Sequence, residues 1–328
     1  MGVYSESAFD RERDVDGALD LRRGWRAAAH ADRYPTARRL RLLISSRLYE
    51  PERNARVWVD GQDADGRVVG FAMLNQRSEG NPSVGLTAMT LPEARERGIA
   101  AAQVGWALTR AGELAAELGT AVTLGMAIAE GDAPAVATLE RFGFLRQPGQ
   151  NVYMERVLEE PLPVPVAPAG YTIRPLDGAG ELEAYTALYG FTPMARAYLL
   201  SLLADPHYAH LVAVAPDGTL AGFCECEVSA EEWEHTGERV GWIEYVGTRE
   251  DHQRRGLGAA LTLAGLWQLR EWGAETARLV TMSANERARR VYTRLGFRIT
   301  AWEDVYARMV LAAWRPALTS THGEHHAT

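Results

Sequence analysis

The chain has 328 residues, 47% of them hydrophobic, and carries a formal charge of −8 at pH 7. That length exceeds what a single core comfortably organises, so two domains are expected. The excess of carboxylates argues against a nucleic-acid partner, which would need a basic face, and no apolar run approaches the roughly 18 to 20 residues that span a bilayer.

The opening residues, with Glu6, Asp10, Arg11 and Glu12, lack the apolar core of a secretion signal, and a cytoplasmic protein is the expectation. Helices are predicted over Val15 to Ala29 and Thr36 to Tyr49, punctuated by Pro35 and Pro51. Val57-Trp58-Val59 and Val68 to Leu74 read as a hairpin across Asp63 to Gly66, and Val84 to Met89 as the next strand. After Pro92 comes Arg95-Glu96-Arg97-Gly98-Ile99-Ala100, then a helix over Ala101 to Leu118, a strand over Ala121 to Ala127, a short helix over Ala133 to Arg141, and Phe142-Gly143-Phe144.

Between Glu159 and Pro168 proline recurs at alternate positions, which favours a stiff, extended linker. Tyr171 to Pro175 reads as a strand, followed by helices over Glu181 to Tyr189 and Pro193 to Ala204. A hairpin runs from Leu211 to Val214 through Pro216-Asp217-Gly218 into Leu220 to Val228. Cys224 and Cys226, the only cysteines, face the same way two positions apart on that strand and read as reduced core thiols. Arg239 to Val246 is the next strand, and a helix is expected over Ala259 to Trp272.

The connection between that strand and that helix is Gln253-Arg254-Arg255-Gly256-Leu257-Gly258-Ala259. With no Cβ at Gly256 or Gly258 the backbone can turn sharply and present successive N–H groups, beside the positive end of the helix. Arg254 and Arg255 add fixed charge, which suits a pyrophosphate. A dinucleotide turn is the rival reading, but its third glycine position is Leu261. A plain strand-to-helix turn with no ligand is the third.

Gln253-x-x-Gly256-x-Gly258 resembles the acyl-coenzyme A signature, Gln/Arg-x-x-Gly-x-Gly/Ala, of the GNAT superfamily of N-acyltransferases. Downstream, Asn285 opens a helical segment, Tyr292 lies seven residues on, and Leu295-Gly296-Phe297 closes it, similar to the family's second block. Arg95 to Ala100 matches the first signature again. Gly256 follows Gly98 by 158 residues and Gly296 follows Gly143 by 153, so the chain reads as two copies of one domain. The expected organisation is a GNAT-like domain over 1–156, a linker over 157–170, a second GNAT domain over 171–316 and a polar tail over 317–328. The expected fold is α/β, with a mixed, mostly antiparallel sheet flanked by helices in each copy.

The resemblance implies acetyl-CoA as the acyl donor and a primary amine of a small molecule as acceptor, handled by a monomer or homodimer without a metal. It implies that the strand before the loop splays from its neighbour near a β-bulge, with Val246, Gly247 and Thr248 along the pantetheine, Gln253 to Ala259 on the pyrophosphate and Asn285 on the pantetheine. In the first copy the matching positions are Thr90, Arg95, Arg97, Gly98, Ile99 and Ala100.

Direct attack by an amine on a thioester needs a neutral amine and a proton for the leaving thiolate. Tyr292 occupies the position the family uses for that proton; the alternative is a packed helix aromatic. Glu244 is the candidate base. By strand parity it shares a face with Val246, and a carboxylate in an apolar strand needs a reason to be there. The alternative is that one of Glu225, Glu227 and Glu244 pairs with Arg239. The group Glu225, Glu227, Glu231, Glu232 and Glu234 reads as a solvated loop or as an attraction for a cationic substrate.

Counting back from Gly-Phe, the first copy has Asp132 for Asn285 and Leu139 for Tyr292. A leucine donates no proton, so the first copy is expected to be catalytically silent. Tandem GNAT proteins such as the mycothiol synthases likewise pair a competent second domain with an inactive first, but their strand carries a glutamate two residues earlier, where this chain has Trp242. A non-catalytic coenzyme A-binding regulator or scaffold is the remaining alternative. His252 reads as a phosphate contact or as nothing, and His322, His325 and His326 lie in the polar tail. Acceptor choice is assigned to Gly178 to Tyr208.

Overall fold

The structure is a computed structural model that describes residues 4–29, 36–45, 49–61, 66–76, 82–159, 161–189, 199–200 and 202–312. In chain order the first half holds β1 (Tyr4–Ala8), α1 (Val15–Ala29), α2 (Ala37–Ser45), the single turn α3 (Pro51–Asn54), β2 (Ala55–Asp60), β3 (Val68–Gln76), β4 (Ser83–Thr90), α4 (Ile99–Leu118), β5 (Val122–Ala129), α5 (Ala133–Arg141) and β6 (Leu145–Val157). The second half holds β7 (Thr172–Pro175), α6 (Leu182–Tyr189), β8 (Tyr208–Val214), β9 (Leu220–Val228), α7 (Ala230–Thr236), β10 (Val240–Thr248), α8 (Leu257–Glu271), β11 (Thr276–Met282), α9 (Glu286–Arg294) and β12 (Arg298–Val310). Sequence periodicity alone missed β1, α3, β6, α7, β11 and β12. The helix expected over Pro193 to Ala204 falls largely outside the described residues, as does the histidine-bearing tail.

Among the described residues all strands join one sheet in the order β1-β2-β3-β4-β5-β12-β6-β11-β10-β9-β8-β7. The two halves exchange their last strands. β12 pairs antiparallel with β5 of the first half, and β6 pairs antiparallel with β11 of the second, while β6 and β12 also pair with each other. The exchange is symmetric in its details. Arg308 of β12 donates to the Phe142 carbonyl at the Gly143 corner, and Arg156 of β6 lies against Gly296, whose left-handed backbone (φ 89°) favours glycine.

Each half repeats one irregularity. β4 and β5 pair in parallel only from Ser83 to Gly85, and β10 and β11 only from Val240 to Trp242; beyond these residues the strands diverge. Two gaps therefore open in the middle of the sheet, one per half.

Helices pack on both faces, as the burial of β9 at every position requires. On one face Cys224, Cys226 and Ile243 pack under α8. Gly265 makes that contact possible, since a Cβ there would stand 2.8 Å from both Cys224 Sγ and Ile243 Cδ1. On the other face Tyr185, Tyr208, Val212 and Phe223 form a second cluster, with Tyr245 and with Leu42 of α2 against it. Each large apolar side chain so buried contributes about 1.5–3 kcal/mol. Among the described residues no helix is long and apolar enough to cross a membrane. Residues 161–168 form no helix or strand but are fastened down: Trp267 Nε1 donates to the Pro163 carbonyl at 2.7 Å.

Candidate active site

The glycine loop lies between the end of β10 and the start of α8. Arg254 (φ 64°) and Gly256 (φ 85°) are both left-handed, and Gly256 caps α8. A left-handed residue costs little for glycine and roughly 1 kcal/mol or more for arginine, so this turn is held by its surroundings. Those surroundings are specific. Gln253 donates to the Thr248 carbonyl at 3.2 Å and accepts from Arg287 of α9 at 2.7 Å. Arg254 and Arg255 are exposed, and Arg255 donates to Tyr171 Oη at 3.1 Å and to the Asp251 carbonyl at 3.2 Å. His252 is buried, with Nδ1 2.8 Å from Tyr171 Oη and Nε2 against Arg249. It braces the loop from behind, a role open to neither reading made from the sequence. Leu257 is buried under the loop and Ala259 is partly covered. A Cβ on Gly258 would meet only Thr248 Oγ1, at 4.0 Å, so packing does not demand a glycine there.

The gap beside the loop has the expected form. On one edge β10 stays paired with β9 as far as Thr248, yet on the β11 side its ladder ends at Trp242. The edge carrying Val246, Gly247 and Thr248 therefore faces the gap without a ladder partner. Gly247 is also a packing residue, because the Phe223 ring leaves no room for a Cβ.

Tyr292 projects from α9 on the α8 face of the gap. It is partly buried against the cluster containing Cys224 and Ile243, with its ring edge-on to Phe297 at 5.8 Å. Burial pushes its hydroxyl up to about 12, so it stays protonated. Among the described residues the hydroxyl makes no hydrogen bond within the protein. Asn285 is the N-cap of α9, its side chain accepting from the Ala288 N–H at 3.2 Å. Asp132 caps α5 in the same way, through Ala135 at 3.2 Å.

Glu244 corrects the parity argument. The β9–β10 register shifts between Ile243 and Tyr245, which leaves Glu244 as the extra residue of a bulge. Ile243 and Val246 pack on the α8 face, whereas the charges that act on Glu244 are those of Glu227, Arg39, Glu225 and Arg38 on the opposite face. Glu244 thus lies across the sheet from Val246 and Tyr292, with the gap between them. Among the described residues its enclosed Oε1 has no hydrogen-bond partner, and burial, then the nearby Glu227, holds the carboxyl well above the usual range. The side chain as a whole is only partly covered, since the site opens to one side.

The acidic group is neither a solvated loop nor a free cation-attracting surface. Glu225 is wholly buried and accepts from Tyr185 and Tyr208 hydroxyls at 2.6 Å each, with His210 Nδ1 at 3.3 Å. Glu227 accepts from Thr36 Oγ1 at 3.0 Å and pairs with Arg38 Nε at 3.3 Å. Arg22 pairs with Glu232 at 3.1 Å, and both Arg23 and Arg41 reach Glu231. Among the described residues Glu234 alone of this group is exposed without such a partner. Four arginines of α1 and α2 in the first half thus dock on carboxylates of the second half, which pairing by sequence distance could not reveal. Arg239, expected to pair with one of the strand glutamates, lies 3.9 Å from Glu275 instead.

The first half is built differently at the matching positions. The 3-10 helix ahead of the glycine runs through Pro92–Arg97 and only Gly98 is left-handed, whereas in the second half it is confined to Glu250–His252 and both Arg254 and Gly256 are left-handed. Thr90 is buried and donates to Gln103 at 3.1 Å, Arg97 pairs with Asp60 at 2.8 Å, Ile99 is buried, and Arg95 is exposed. Ala100 is partly covered, and Leu139 is sealed in the core.

The sequence matches the Acetyltransferase (GNAT) family twice, over residues 22–144 and 180–297. It is 34% identical over 259 residues to the mycothiol acetyltransferase of Nocardia farcinica, covering 74% of this chain and 80% of that protein. To the mycothiol acetyltransferase of Thermobispora bispora it is 35% identical over 188 residues, 53% of this chain and 61% of the relative. In fold it is similar to a GCN5-related N-acetyltransferase from Sphaerobacter thermophilus (TM-score 0.68, 22% identity, 93% of this chain and 95% of that one). It is similar also to a tandem GNAT protein from the clavulanic acid biosynthesis pathway (TM-score 0.67, 19% identity, 96% and 100%). With the sheet gap, the glycine loop and the duplicated match on one chain, this protein belongs to the GNAT acetyltransferase family as a tandem member.

Proposed function

We propose that the second half transfers the acetyl group of acetyl-CoA to a primary amine of a small molecule by direct attack, and that the first half is catalytically silent. The observation that carries this reading is a coincidence found in one half only. There an open loop with two left-handed residues, an unladdered strand edge and a tyrosine hydroxyl converge on one gap, with a carboxyl on the far side.

The pyrophosphate would take the N–H groups at the start of α8 and the charge of Arg254, and the pantetheine would lie along Val246 to Thr248 with the thioester in the gap. The acceptor arrives as an ammonium from the Glu244 face. Glu244, when ionised, takes one ammonium proton, directly or through a water, and the cation offsets the charge that burial disfavours. The free amine attacks the carbonyl carbon, the C–N bond forms and the C–S bond breaks. Tyr292 gives its proton to the departing thiolate and regains one from the new amide nitrogen. The sum is an amide, free coenzyme A thiol and one proton released through Glu244.

A second reading narrows the acceptor to that of the mycothiol acetyltransferases, a cysteinyl pseudo-disaccharide. Relatives so named at 29–34% identity over 74–76% of the chain favour it. Trp242, where those synthases place a glutamate, counts against it. The test is a panel of primary amines that includes cysteinyl-glucosamine, scored by the mass of one added acetyl group so that an acceptor thiol does not confuse the readout. Acetylation of a simple amine in preference to the cysteinyl sugar overturns the second reading. No acetylation across the panel, with acetyl-CoA bound, overturns both and leaves a coenzyme A-binding regulator.

A further inference from the structure

β9 and β10 place two rows of side chains on the face opposite α8. Glu227 is in register with Trp242, and Glu225 with Tyr245, with bulged Glu244 inserted between the rows. Glu244 stands two residues along from Trp242 and so diagonal to Glu227, a spacing of about 7–8 Å in a regular ladder that two glutamate side chains can bridge, and Glu227 is the first charge acting on Glu244. Their surroundings differ. Among the described residues Glu244 Oε1 has no hydrogen-bond partner, whereas both oxygens of Glu227 are held, and by the other half of the chain: Oε1 by the Thr36 hydroxyl at 3.0 Å, Oε2 by Arg38 Nε at 3.3 Å.

Arg38 is itself fixed, by Asp205 and by donation to the Val228 carbonyl at 3.0 Å. Thr36 starts α2 and accepts from the Arg39 N–H at 3.0 Å. Among the described residues the other charged or titratable groups around the pair include Arg39 on α2, Glu232 on α7 with Arg22 of α1 paired to it, Glu238 lining the same cavity as Glu227, and Glu225 with His210 and the Tyr185 and Tyr208 hydroxyls. Glu225 is occupied by those two hydroxyls and the imidazole. Glu227 is therefore the carboxylate whose charge bears most directly on Glu244.

We propose that Thr36 and Arg38 of the silent first half are positioning residues of the second half's site: they fasten the Glu227 carboxylate beside Glu244, and its charge sets how strongly Glu244 holds a proton. A carboxyl next to a fixed anion binds a proton more tightly and is a stronger base toward an ammonium. Burial holds Glu227 up to about 7, and the Arg38 charge and the Thr36 hydroxyl act to bring it down, so loss of either drives it higher. The first half thus contributes to chemistry without touching a substrate. This inference rests on Glu244 being the base, and its test separates the two.

The full chain, labelled with 13C at the glutamate carboxyls, is titrated by NMR without any ligand, the Glu227 and Glu244 signals being assigned by their loss in Glu227→Gln and Glu244→Gln. In Glu227→Gln the Glu244 midpoint falls by about one pH unit or more. In Thr36→Val the Glu227 midpoint rises by about one pH unit, and Thr36→Ser, which keeps both the cap and the donor, restores it. Arg38→Met moves it the same way and Arg38→Lys less. A Glu244 midpoint within about 0.3 units of the parent in Glu227→Gln, or a Glu227 midpoint unmoved in a folded Thr36→Val, overturns the inference. Acetyl transfer to cysteinyl-glucosamine is measured alongside. Transfer unaffected by Glu244→Gln removes Glu244 as base while the coupling stands, and transfer abolished with both midpoints unmoved overturns the coupling alone.

Discussion

Replacing Tyr292 with phenylalanine separates an acid from a packing residue. The ring, with its edge-on contact to Phe297 and its place against Cys224 and Ile243, is retained. The hydroxyl makes no hydrogen bond within the protein among the described residues, so its loss orphans no partner and stability should change by less than about 1 kcal/mol. The pantetheine edge at Val246 to Thr248 is backbone and is untouched. If the hydroxyl protonates the leaving thiolate, acetyl transfer falls by about 10²- to 10⁴-fold, or roughly 3–5 kcal/mol of transition-state stabilisation. The assay is rapid-quench single turnover with a good amine acceptor, so that slow product release does not mask the chemical step. The melting temperature and the acetyl-CoA affinity are measured on the same sample. A loss below about tenfold in the chemical step, with affinity unchanged, would refute the assignment and leave Tyr292 as a packed aromatic.

The division of labour predicts that Leu139→Tyr adds no activity, because the adjoining loop is wound into a 3-10 helix and position 139 is sealed in the core; a doubled turnover number would contradict it. Arg97→Ala should cost about 1 kcal/mol or less in thermal denaturation, through loss of its pair with Asp60, and should leave turnover intact. Glu244 and Glu227 are both raised from an ordinary value of 4.5 in the folded chain, Glu227 to about 7. Above pH 4.5 the unfolded chain therefore releases protons that the folded one keeps, and these carboxyls cost stability as pH climbs toward and past 7. Glu244→Gln should accordingly raise the melting temperature little at pH 5 and by about 2 °C or more at pH 8, and an equal gain at both would show that Glu244 ionises freely.

The parts of the site readable from the sequence are those governed by local chemistry. Gly256 marks the loop because few other residues permit its left-handed turn, although Gly258, read with it, sits in the first turn of α8 with room for a Cβ, and the seven-residue step from Asn285 to Tyr292 follows from a helix and its cap. Glu244 was legible as an anomaly but not in its direction, since a one-residue bulge reverses the alternation on which strand parity depends. The exchange of β6 and β12 was invisible for another reason. Both are long strands after a Gly-Phe corner, and nothing in their own residues says which sheet edge each will meet. The arginine clamp joins residues about two hundred positions apart, Arg38 with Glu227 and Arg22 with Glu232, and only the folded sheet brings them together.

The proposed division of labour, extended to acetyl-CoA binding by the second half alone, is tested most directly by equilibrium dialysis of the full chain against labelled acetyl-CoA, with Gly258→Glu as the comparison. A side chain at position 258 has open space, and a carboxylate in the first turn of α8 favours the helix, so the variant should fold while opposing a pyrophosphate at the same N–H groups. The account predicts one acetyl-CoA per chain in the parent and none in Gly258→Glu. Two per chain, or one that survives Gly258→Glu, would contradict it.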